Sequence, residues 1–160
     1  MSTRLHGQRT NHIHRLRGRG LEIGGLNNPL PLPDGASVKY SDILTAEEID
    51  RMYPGSRHPD IISNSETFPE LMDAEFDFVI ANHVVEHVTE PIAALIEGGR
   101  ILKENGILFL AVPDCRFTFD KNRDRTPLVH LIDDHRTRHS VAEKDLNLAH
   151  LKDWATHVEG

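Results

Sequence analysis

Apolar and polar positions alternate along this chain in short blocks. Leu21-Glu22-Ile23 is an apolar-acidic-apolar run stopped by Gly24-Gly25, which predicts a buried strand ending in a turn. Pro29, Pro31 and Pro33 follow, ending in Asp34-Gly35. Prolines at alternate positions remove amide donors and favour extended backbone, so this connection is a loop and not a helix. Ser37 to Asp42 reads as a second strand. Thr45 is a good helix cap, and Glu47 and Glu48 favour a first turn, so a helix runs from there to Met52, before Pro54-Gly55. Asp60 to Ser63 predicts a third strand, and Phe76 to Ala81 is the strongest strand pattern. Pro91 opens a second helix with Ile92, Leu95, Ile96 and Leu102 at helical spacing. Lys103 falls in its last turn, and Asn105-Gly106 is read as its left-handed stop. Ile107 to Val112 is a fifth strand, ended by Pro113.

Strands and helices alternating in this order predict an α/β fold with a mainly parallel sheet covered on both faces. Right-handed crossovers put the carboxyl ends of the strands along one edge, where open sheets bind ligands. That edge gathers Gly24-Gly25, Asp42, Asn64, Asn82-His83 and Pro113-Asp114.

Composition narrows the picture. With 160 residues, 38% hydrophobic and 27% charged, the chain fits one globular domain. No apolar run approaches the ~18 residues of a membrane helix, and the first residues show no apolar signal region. Cys115 is the only cysteine, which rules out an intrachain disulfide or a thiolate zinc cluster and points to a reducing, cytoplasmic setting. The net charge is −7, yet Arg4, Arg9, Arg15, Arg17 and Arg19 occur in the first 20 residues with no acid among them. Such an arm can be drawn to a phosphate polymer or an anionic membrane surface. The simpler reading is a solvated, flexible terminus, because no aromatic residues are interleaved for base stacking. The chain thus divides into a basic arm, 1–19, a core that carries the candidate ligand edge, 20–114, and a polar, histidine-rich segment, 115–160, that covers the sheet edge or the ligand side.

The candidate chemistry lies on the carboxyl edge. Glycines after the first strand let backbone approach a ligand closely, and Glu22 can accept hydrogen bonds from a polar group. The G-x-G-x-x-G spacing that seats a pyrophosphate on a helix is absent, which disfavours a dinucleotide. Asp42 closes the second strand where nucleotide-binding sheets place the acid that holds both ribose hydroxyls. His83 and His87 are four apart, on one face if this stretch is helical, and either imidazole can act as a general base. His130, Asp133, Asp134, His135 and His139 cluster near the end of the chain; some have the i, i+4 spacing of helical metal ligands, but no ligand triad fixes a site. Phe117 and Phe119 either continue the fifth strand or pack against an acceptor, and Leu146 to Trp154 forms a loosely helical apolar pattern.

Leu21-Glu22-Ile23-Gly24, Tyr40-Ser41-Asp42, Phe76 through Val88, Pro91, Arg100-Ile101-Leu102-Lys103, Gly106 and Leu108 to Asp114 together resemble the ordered motifs of class I S-adenosylmethionine-dependent methyltransferases. The resemblance is nearest to the methyltransferase type 11 group and to bacterial relatives found near polysaccharide-biosynthesis enzymes. It implies a Rossmann-like three-layer sandwich, here lacking the usual terminal antiparallel strands. It also implies that S-adenosylmethionine lies against Glu22, Gly24, Gly25, Asp42, Asn64, Ser65, Asn82 and His83, with His83, Glu86 and His87 serving catalysis. The glycine loop departs from the family pattern at Leu26 and Asn28.

The resulting expectation is an enzyme that methylates a small or saccharide-linked acceptor. It would have no membrane insertion and no nucleic-acid partner, and its exposed sheet edge would be open to a second copy. The alternative is a non-catalytic, truncated or degenerate methyltransferase-like binding module. A nicotinamide oxidoreductase is disfavoured by the missing glycine fingerprint.

Overall fold

A computed structural model of the chain describes residues 10–137. Strands β1 (Gly18–Ile23), β2 (Ala36–Asp42), β3 (Ile61–Ile62), β4 (Phe76–Asn82) and β5 (Leu102–Ala111) form one sheet. Helices α1 (Ala46–Met52), α2 (Pro91–Arg100) and α3 (Leu128–Thr137) accompany it. Short 3-10 turns occur at Ile13–Arg15, Val85–His87, Cys115–Phe117 and Phe119–Asn122. The strand order is β3-β2-β1-β4-β5 and every pairing is parallel. The chain winds one way from β1 to β3 and the other way from β4 to β5, so the switch point lies between β1 and β4.

The sheet buries both faces, as the apolar runs of β1 and β4 require. One face places Leu21, Phe76 and Val79 against Phe68, Leu71 and Ile101. Helix α2 packs on this side, and its Gly98 leaves room for the Leu108 side chain. The other face places Phe78 and Ile80 against Leu16 and Leu30, with Ile13 and Leu32 alongside. That cover comes from the proline loop and the segment before β1, so on this side the outer layer is largely irregular backbone. Each large side chain buried this way contributes about 1.5–3 kcal/mol. The boundary expected at Gly20 therefore moves: β1 begins at Gly18, and Leu16 is fully buried. Arg19 is tied down as well, through a 2.9 Å ion pair with Glu75.

Helix α1 forms where its sequence signals place it. Thr45 and Glu48 complete a capping box, the Glu48 carboxylate accepting from Thr45 N at 2.8 Å. The second helix corrects an expectation. It ends at Arg100, and Leu102 is already in β5, opposite Phe76. The carbonyls released at the helix end are captured by the approach to β4: Ala74 N donates to Arg100 O at 3.0 Å, and Glu75 N to Ile101 O at 2.8 Å. These long-range bonds stop the helix before its local signal does. Asn105 does adopt the left-handed conformation, with φ +62°, but it lies inside an excursion of β5. The partners of β5 step from Phe76↔Leu102 to Phe78↔Ile107 across that excursion.

Gly20 shows how closely the sheet is filled. A Cβ at this position would lie 2.0 Å from the Phe78 ring. Gly20→Ala is therefore expected to lower the urea-unfolding free energy by about 1–3 kcal/mol, as overpacking does. Adding Phe78→Leu should return part of that loss relative to Phe78→Leu alone, and strictly additive effects would contradict the contact.

Candidate functional site

The residues expected at the carboxyl edge fall into groups with different duties. Gly24 takes φ +67° and donates its N–H to Ser41 O at 2.9 Å, tying the first turn to β2. Gly25 is required for a different reason: a Cβ there would lie 2.6 Å from the carboxyl carbon of Glu22. Glu22 itself is fully buried, and the Leu30 amide donates to its two oxygens at 2.9 and 3.2 Å. Its carboxylate thus holds the proline loop, a structural duty that the sequence reading did not foresee. Tyr40 pairs with Glu22 across β1 and β2. Burial, with smaller help from the Glu22 and Asp60 charges, pushes the Tyr40 phenol above its ordinary value against the opposing influence of Arg57.

Asp42 ends β2, where its Oδ1 accepts from Leu44 N at 2.9 Å and its carbonyl from Ser63 N at 2.9 Å. Asn64 and Ser65 follow β3. The Asn64 carboxamide oxygen accepts from Glu66 N at 2.8 Å, forming a local turn. Glu66 then reaches across the edge, its Oε1 accepting from Thr89 N at 2.7 Å. This link joins the loop after β3 to the loop after β4. Nothing local in the sequence could have revealed it, because the partners are 23 positions apart.

Asn82 closes β4 beside the β1 turn, one residue beyond the Ile23↔Ala81 pair. By alternation along β4 its side chain shares the face of Ile80, which is paired with Glu22. Both polar atoms of its carboxamide are buried without a hydrogen-bond partner, and so is Ser41 Oγ on β2. Leaving such groups unsatisfied costs about 1–3 kcal/mol each, so they mark a place built to receive polar partners.

The shared face expected for His83 and His87 does not form. His83 is left-handed at φ +55°, its N–H donating to Ala111 O at 2.8 Å, and only Val85–His87 is helical, as a 3-10 turn. With three residues per turn, neighbours sit at i, i+3. His83 accordingly meets Glu86, with Nδ1 and Oε1 3.2 Å apart, while His87 lies exposed at the end of the turn.

The following segment also departs from expectation. Phe117 and Phe119 do not extend β5, which ends at Ala111. Asp114 instead caps the turn of Phe117, accepting from Arg116 N at 3.0 Å. The Arg116 guanidinium holds the Asp114 carboxyl down at about 2. Phe117 is 85% exposed and Phe119 68%. His130 pairs with Asp134 at 3.3 Å, and His135 bonds the buried Glu90 at 2.9 Å. Among the described residues, His, Cys, Asp and Glu side chains nowhere gather as a metal-ligand cluster. His139 and the pattern from Leu146 to Trp154 lie outside the described residues.

Residues 45–110 match the family model described as a methyltransferase domain. No curated protein matches the chain. Solved structures do. One, provisionally described as a sarcosine dimethylglycine methyltransferase from Galdieria sulphuraria, has a TM-score of 0.52 at 16% identity, over 67% of this chain and 46% of that one. A provisionally described S-adenosyl-L-methionine-dependent methyltransferase from Methanococcus maripaludis has a TM-score of 0.48 at 18% identity, over 66% and 52%. A third, a SAM-dependent methyltransferase from Thermotoga maritima, has a TM-score of 0.48 at 22% identity, over 81% and 62%. The chain thus spans about half the length of the Methanococcus and Galdieria proteins. Residues 45–110 thus resemble a methyltransferase domain, and they lie in a parallel Rossmann-like α/β sheet of the kind the class I resemblance implies.

Proposed function

We propose that the chain binds S-adenosylmethionine at the carboxyl edge between β1 and β4 and passes its methyl group to a small or saccharide-linked acceptor. The observation that carries this reading is the buried, partnerless carboxamide of Asn82, set beside a glycine turn at the switch point of the sheet. The residues present suit the cofactor. Gly24 and Gly25 expose backbone, Asp42 offers a carboxylate to a pair of ribose hydroxyls, and Asn64 with Ser65 faces an adenine amine. Asn82 supplies both a donor and an acceptor to a charged amino-acid group. Glu22 acts one step back, by fixing the loop beneath.

When bound, the cofactor supplies an electrophilic methyl group on a sulfonium. The protein's own work is alignment and exclusion of water, which in-line displacement chiefly needs. His83, its Nδ1 held by Glu86, takes the proton that an acceptor hydroxyl or amine gives up, and His87 lies on the same acceptor side. A cytoplasmic setting belongs to this proposal and rests on the single cysteine.

Two substitutions test the assignment, both read by calorimetry with S-adenosylmethionine and S-adenosylhomocysteine. Asn82→Leu should leave unfolding free energy unchanged or raised, since two orphaned polar atoms disappear, while cofactor affinity falls at least about tenfold. Failure of the parent chain to bind either compound at millimolar concentration would sink the proposal. Asp42→Ala should weaken binding by about 1.5–3 kcal/mol, the range for hydrogen bonds to a charged group. An unchanged affinity in that variant would remove Asp42 from the ribose site. Binding without turnover across hydroxyl and amine acceptors would favour the binding-module alternative.

A further inference from the structure

The opposite, amino edge of the sheet holds a cleft of about 220 Å³ between the segment before β1 and the excursion of β5. Arg15, Arg17, Asp77, Lys103, Glu104 and Asn105 line it. The charges there are unequally compensated. Lys103 Nζ meets Asp77 Oδ1 at 2.8 Å, and Arg19 N donates to the other oxygen of that carboxylate at 2.8 Å. These bonds, the one from Lys103 first, hold the Asp77 carboxyl below its usual range, so that ion pair is self-contained. The Arg19 side chain is matched with Glu75. Arg17 touches only an uncharged group, the Asp34 carbonyl oxygen at 3.3 Å. Among the described ion pairs, Arg15 and Arg17 have no carboxylate partner, and the one remaining acid of the cleft, exposed Glu104, is not paired with either. Two guanidiniums left uncompensated in a chain of net charge −7 are not explained by folding.

We propose that this cleft binds a phosphate group, gripped by Arg15 and Arg17, at a site separate from the cofactor edge. Guanidinium forks match phosphate oxygens bidentately, and the cleft has room for one or two phosphoryl groups. The phosphate is either free in solution or carried on a lipid headgroup, and the test separates these sources.

The test uses the full chain, with calorimetric titration of inorganic pyrophosphate and flotation with phosphatidylglycerol vesicles. Binding of pyrophosphate that falls at least about tenfold in R15Q/R17Q would establish a soluble phosphate ligand. Vesicle binding alone, lost in the same variant, would establish a lipid headgroup. R15K/R17K keeps the charge without the fork and should retain part of the affinity. An unchanged melting curve would show that these exposed substitutions leave the fold intact. The proposal is overturned if neither probe binds, if R15Q/R17Q binds like the parent, or if Lys39→Gln, on β2 away from the cleft, loses as much. Asn82→Leu should leave phosphate binding untouched, which keeps this result independent of the cofactor assignment.

Discussion

The buried carboxylate of Glu22, in the central strand and hydrogen-bonded to the amide of Leu30, is the interaction on which this fold turns. Taking a carboxylate out of water costs several kcal/mol, so it persists only where fixed donors replace the solvent. Leu30 lies between Pro29 and Pro31, neither of which has an N–H to offer. One amide in a donor-poor loop is thereby committed to one acid. The commitment places the Leu30 side chain on Phe78 and Ile80, closing that face over β4. It also dictates glycine at position 25, where any side chain would displace the carboxylate. Acid, glycine and proline loop form one unit, and none of the three is intelligible alone.

The two edges of the sheet satisfy their polar groups differently. At the amino edge, Arg19, Glu75, Asp77 and Lys103 saturate one another. At the carboxyl edge Asn82 and Ser41 keep buried polar atoms without partners, while Glu66 and Thr89 join the loops that follow β3 and β4. Those unsatisfied groups are what the proposed cofactor would engage.

Much of the sheet was legible in the sequence because its signals are local. The apolar run from Phe76 marked β4, Thr45 as a cap with Glu47 and Glu48 behind it marked the start of α1, and Gly24 marked a real turn. The errors arose where distant groups intervened. The second helix ended early because Ala74 and Glu75 claimed its last carbonyls from across the sheet. The basic arm proved shorter than its charge suggested, because Leu16 is held by residues far along the chain. At the site, the positions along the edge were readable but their duties were not. Glu22 was read as a ligand contact, and its carboxylate also anchors the proline loop; His83 and His87 would share a face only in a helix, and His83 is itself left-handed. Periodicity shows which residues share an edge, whereas partners depend on packing that no window of sequence contains.

The irregular cover over Phe78 and Ile80 has a dynamic consequence. A helix lifts from a sheet as a unit, since its ladder of bonds is cooperative. A loop with three prolines has no such ladder, so it can peel away in steps while β1 and β4 stay paired. Amides within this cover, Leu30 among them, would exchange with solvent through small local openings, at energies below those that expose the α2 face. The face that holds Phe78 and Ile80 is thus the one whose cover is expected to open more readily, starting from the glycine turn where the first strand ends.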